Sequence, residues 1–108
     1  MSYKTIKVTV DRPLGSKHPD YDMIYPVNYG YIDGIFAGDG EEQDAYILGI
    51  NEPLSEFQGK LIAIVHRLND NEDKWVVAPC DMSFSKEEIE NALHFQEQYF
   101  ESVVEMLN

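Results

Sequence analysis

The sequence is poor in positive charge, in cysteine and in long apolar runs, and each shortage closes off a class of protein. Only 8 of its 108 residues are Lys or Arg against 20 Asp and Glu, a formal net charge of −12. A surface this acidic repels polyanions at range, which disfavours nucleic acid as a partner. The single cysteine, Cys80, has no partner for an internal bridge and no CxxC neighbour, so neither a disulfide scaffold nor a dithiol motif is available. No apolar stretch approaches the roughly 20 residues of a membrane helix. The N-terminal "MSYKTIKVTV" also lacks the basic-then-apolar layout of a secretory signal. The expectation is one cytoplasmic domain over residues 1–108, without a membrane partner.

What remains is ordinary globular composition, 44% hydrophobic and 26% charged. "KTIKVTV" (4–10) alternates Ile6, Val8 and Val10 with polar residues, the period-2 mark of a half-buried strand. "DRPLGSKHPDYD" holds two prolines and a glycine and reads as a loop. "NYGYIDGIF" (28–36), "AYILGI" (45–50), "KLIAIVHRL" (60–68) and "KWVVA" (74–78) supply four more strands, the last two joined through the polar turn "NDNED". Ser85 followed by Glu88 forms a capping box, with Phe84 and Ile89 at the staple positions. Ile89, Ala92, Leu93, Tyr99, Phe100, Val103 and Leu107 then recur at helical spacing, interrupted by Gln96. This pattern predicts a mainly β (α+β) fold, a five-stranded OB-like barrel with a C-terminal amphipathic helix from Lys86 to near the end of the chain.

Two acidic turns stand out. Asp39, Glu41 and Asp44 fall at i, i+2 and i+5, and Asp70, Glu72 and Asp73 lie between the last two strands. Crowded carboxylates repel one another unless a hard cation uses their oxygens, but polar hairpin turns also look like this. Upstream of both groups, "IYPVNYGYIDG" packs Tyr25, Tyr29 and Tyr31 around an Asn and a Gly. A tyrosine hydroxyl there can donate to phosphate oxygens or belong to the core, and Gly30 permits close approach of backbone. The scarce bases Arg12, Lys17, Arg67 and Lys74 lie in or beside loops, as anion contacts or as solvated surface. His18, His66 and His94 show no mutual ligand spacing and read as structural or surface residues.

"YPVNYGYI", "DGEEQD" and "DKWVVAP", in this order and spacing, resemble the soluble family I inorganic pyrophosphatases over roughly residues 8–80, and more weakly at "HFQEQYF". The resemblance implies hydrolysis of inorganic pyrophosphate by a water activated between several Mg²⁺ ions, with Mn²⁺ as a substitute metal. Asp39 and Asp44 match metal ligands, and Glu41 matches the carboxylate that orients or deprotonates the water. Asp70 and one of Glu72 or Asp73 match later metal-binding acids, and Asp11 an outer one. Lys74, Tyr29 and Tyr99 match phosphate contacts. An acidic site accepts so charged an anion only after cations invert the local field.

Departures from the pattern accompany the matches. Glu41 replaces an aspartate, Glu42 a proline and Phe100 a lysine, and a hairpin carrying two further bases is expected to be missing between Ser16 and Tyr25, leaving Arg12 and Lys17 as the available substitutes. The competing expectations are a weak or inactive barrel that binds metal or phosphate, and a hydrolase of another phosphoanhydride. The family usually assembles, and Phe100, Val104 and Met106 are the candidate interface of a homo-oligomer.

Overall fold

A computed structural model describes residues 5–20, 22–38, 40–68 and 72–107. Asp39 and Asp70 fall outside the described residues. Six strands and one helix follow in the order β1 (Ile6–Arg12), β2 (Asn28–Phe36), β3 (Glu42–Ile47), β4 (Glu56–Arg67), β5 (Asp73–Ala78), α1 (Lys86–Glu97) and β6 (Ser102–Met106). The sheet runs β1-β2-β3-β5-β4-β6, and β1 also pairs with β4, so five strands close on themselves. All pairings are antiparallel except that of β3 with β5. The five-stranded barrel read from the sequence is therefore present.

Closure depends on the length of β4. Its first residues pair with β1 (Ile6 opposite Gly59, Thr9 opposite Glu56), while its last pair with β6 (Ala63 opposite Met106, Arg67 opposite Ser102). One strand thus leaves one neighbour and takes up another. Gly30 brings β1 and β2 together on the far side: a Cβ built there would lie 1.9 Å from the Thr9 carbonyl oxygen. The close backbone approach that this glycine permits is to β1. Asn28, fully buried two residues earlier, donates to the Glu52 carbonyl and accepts from the amides of Leu14 and Leu54. Asn28 and Gly30 of the "NYG" stretch thus have structural duties.

Alternation along the central strands builds two cores. Ala45, Ile47 and Val77 join Val8 and Ile32 inside the barrel. Tyr46, Leu48, Val76 and Ala78 face outward and pack under Ile89 and Leu93 of α1. Because β3 and β5 are covered on both faces, they read as continuous apolar runs rather than alternating ones.

The helix starts as expected, with the Ser85–Glu88 capping box closed in both directions. It ends at Glu97, well before the C-terminus. Tyr99 and Phe100 lie beyond its C-cap, Gln98, and residues 102–106 form β6 rather than further turns of helix. The spacing of Val103 and Leu107 fits either period, and pairing with β4 decides for the strand. The shortened loop after β1 is also more regular than its composition suggests. Lys17 bridges Ile24, and Gly15 and Tyr25 bond through their backbones, so a small antiparallel ladder stands there.

His66 ties three strands at the barrel's surface: Nδ1 lies 3.1 Å from Asp73 of β5 and Nε2 2.7 Å from Glu105 of β6. Its pKa is raised by the bond to Glu105, opposed by partial burial and helped by Asp73. The imidazolium's stabilisation is complete below the ordinary histidine value of about 6.5 and is lost as pH rises through the higher folded-state value. The urea midpoint of the wild-type protein is expected to fall between about pH 6 and pH 8, more steeply than that of His66→Gln. Parallel slopes in the two proteins contradict the clamp.

Candidate functional site

The face of β3 and β5 that lies under α1 continues past the helix as a polar patch. Asp44 precedes Tyr46 by two residues and Lys74 precedes Val76 by two, so each carries the helix-covered face onward. Tyr46 pairs with Val76, and one register pair earlier Ala45 meets Trp75, so stepping along the parallel ladder sets Asp44 beside Lys74. Tyr29 of β2 is opposite Tyr46 and lies on the same side.

Lys74 is the centre of this patch and is 3% exposed. Its Nζ donates to Asp44 Oδ2 at 2.6 Å, to Glu72 Oε1 at 2.6 Å and to the Tyr29 hydroxyl at 2.8 Å. Tyr29 in turn donates its own proton to Asp44 Oδ2 at 2.8 Å. Burial, followed by the charge of Asp44, pushes the Tyr29 phenol far above its usual range, so it remains a donor at any physiological pH. A buried ammonium is tolerated when its protons are all used, and here three acceptors surround it.

Of the residues singled out in the sequence, the structure brings together Tyr29, Asp44, Glu72 and Lys74. Glu72 and Lys74 are two apart and share a face, whereas Asp73 points to His66. Asp11 stands exposed at the irregularity in the β1–β2 pairing between Val10 and Arg12. Arg12 lies against the Tyr25 hydroxyl and opposes the upward push of burial on that phenol. Lys17 is 4.0 Å from Asp22 on the surface of the small ladder. Tyr99 is half exposed just beyond α1.

The turn between β2 and β3 is a hairpin turn in its described residues, with Ala37 bonding Glu41 and Gly40 at a φ of +85°. Glu41 is exposed at its tip. Glu42 bonds Asp33 across the hairpin, and this shared hydrogen bond raises the Glu42 pKa.

A second set of polar groups lies behind Lys74, under the last turn of α1. Glu97 binds Arg67 through two bonds, at 3.1 and 2.8 Å, and accepts from the Tyr46 hydroxyl at 2.7 Å. Gln96 donates to that same hydroxyl at 2.7 Å. Burial and the Glu97 charge push the Tyr46 phenol well above its usual range, whereas Glu97 outweighs burial to keep Arg67 firmly charged. Phe100 lies with its ring 3.7 Å from the Arg67 guanidinium carbon. Gln96, the break in the apolar stripe, and Arg67, one of the scarce bases, were the sequence signals of this network.

Asp44 and Glu72 already converge on one cationic group, and both offer oxygen, which suits Mg²⁺. Among the described residues, no three His, Cys, Asp or Glu side chains are grouped closely enough to hold a metal. Of the ligand set that the resemblance implies, Asp44 and Glu72 meet here, whereas Asp73 bonds His66 and Asp11 stands exposed on β1.

No protein-family model matches the chain, and no curated protein matches it significantly. Solved structures do. An inorganic pyrophosphatase from Ehrlichia chaffeensis superposes with a TM-score of 0.76 at 18% identity, over 98% of this chain and 88% of that one. That of Helicobacter pylori gives 0.68 at 16% identity, over 99% and 85%. That of Neisseria gonorrhoeae gives 0.62 at 21%, over 96% and 80%. The chain has the fold of the inorganic pyrophosphatases, across nearly its whole length.

Removing the central cation leaves two carboxylates facing one another. Lys74→Met is expected to lower stability by about 2 kcal/mol at pH 7, measured by urea unfolding. An unchanged midpoint at pH 7 contradicts the central place given to Lys74.

Proposed function

We propose that the protein is a compact, Mg²⁺-dependent inorganic pyrophosphatase. The observation that carries this reading is the convergence of Tyr29, Asp44, Glu72 and Lys74 at one point on a pyrophosphatase fold. Fold alone does not select a chemistry, but this cluster adds phosphate donors and cation ligands of the required kind.

Each residue has a task in this scheme. Asp44 and Glu72, with Asp39 and Asp70, would hold Mg²⁺, and Mn²⁺ suits the same oxygen donors. The ion, when bound, supplies Lewis acidity to the phosphoryl oxygens and to a water. Lys74 and Tyr29, whose protons go to Asp44 and Glu72 in the free protein, would turn to the phosphoryl groups once Mg²⁺ takes those carboxylate oxygens, and positioning and charge neutralisation carry most of phosphoryl transfer. Tyr99, with Arg12 or Lys17, supports the outer phosphate. Glu41 serves as the base that orients or takes a proton from the attacking water.

A second reading draws on one observation, the exposure of Glu41 at the hairpin tip. A longer carboxylate in so open a position favours a slow enzyme, or one acting on another phosphoanhydride.

Phosphate release from pyrophosphate is expected with Mg²⁺, to vanish with excess EDTA, and to drop by about 100-fold or more in Asp44→Asn. Wild-type turnover no higher than that of Asp44→Asn sinks the enzyme reading. Release from nucleoside triphosphates but not from pyrophosphate moves the assignment to the second.

A further inference from the structure

Arg67 and Glu97 are both nearly enclosed, their side chains 5% and 9% exposed. Such a pair is a weak source of stability, because taking two charges out of water consumes most of what their attraction returns. Its geometry is nevertheless tightly specified. Two bonds fix the guanidinium on Glu97, Phe100 lies against its face, and the Tyr46 hydroxyl donates to the same carboxylate.

The remaining reach of Arg67 is toward the candidate site. Its Nη1 lies 3.7 Å from Glu72 Oε2, while the other oxygen of Glu72 accepts from Lys74 at 2.6 Å. Glu72 is therefore stretched between two cations. It also lies one residue outside β5, where His66 opposite Asp73 is the last pair of the β4–β5 ladder. The ladder does not fix Glu72, so its orientation depends on its side-chain contacts.

We propose that Arg67 is a positioning residue. Anchored by Glu97 and Phe100, it sets which oxygen of Glu72 faces Lys74, and so ties the C-terminal end of α1 to the ammonium. What Lys74 holds rests on the pyrophosphatase reading; the positioning itself does not.

The experiment pairs the ¹H–¹⁵N signal of the Lys74 ammonium in the full chain with the KM and kcat for magnesium pyrophosphate. Arg67→Met is expected to shift or broaden that signal as Glu72→Gln does, and the double variant is expected to add nothing. KM is expected to rise about tenfold in each. Arg67→Lys, which keeps the charge but loses the planar fork, is expected to fall between them and wild type. If Arg67→Met does not fold, Glu97→Gln removes the anchor and carries the same comparison. A lowered unfolding midpoint with an unmoved Lys74 signal and an unchanged KM makes the pair a structural staple and overturns the proposal. A Lys74 signal that follows Arg67 in a wild-type protein without pyrophosphate hydrolysis supports the positioning and removes the activity.

Discussion

A lysine ammonium held 2.6 Å from each of two carboxylates and covered from solvent is the constraint on which the candidate site depends. Such a charge has to be brought to its partners by backbone, since a flexible surface pairing contributes little. The parallel placement of β3 beside β5 does this, setting Asp44 next to Lys74 near the starts of strands whose later residues are core. Tyr29 closes the group from β2 and stays protonated because it is buried beside Asp44. The apolar half of each strand face lies under α1, and the polar half is left beyond it. Core and site are two stretches of one alternation.

Much of this was legible in the sequence because it is local. Strand periods, the Ser85–Glu88 box and the acidic turns are all patterns within a few residues. "NYGYIDGIF" coincides with β2, since an alternating strand bounded by turn residues leaves little choice. The five-strand count followed from such segments, and the barrel from the need to bury edges. Residues past Glu97 were misread because Tyr99, Phe100, Val103 and Leu107 satisfy a helical period by spacing alone. Pairing with the end of β4, some 40 residues away, is a tertiary preference that no local pattern carries.

The candidate site divides in the same way. Asp44, Glu72 and Lys74 were visible as acids and a rare base, yet only the folded contacts separate Glu72, which meets Lys74, from Asp73, which turns toward His66. Gly30 and Asn28 sit within the motif that pointed to phosphate, but their atoms are spent on the β1 backbone and on three loop contacts. Glu97 left no trace beyond the neighbouring Gln96, because a glutamate near a helix end is ordinarily solvated. Its partner Arg67 lies 30 residues earlier, and their buried pairing forms only once β4 and α1 are brought together.

On the proposed function, this acidic site would accept a polyanion only when divalent cations reverse its field. Calorimetric titration with methylenediphosphonate, a pyrophosphate analogue that water does not cleave, tests this most directly. Saturable binding at one site per chain is expected with Mg²⁺ present, and none with EDTA. Binding of equal strength without divalent cations, or none with them, contradicts it.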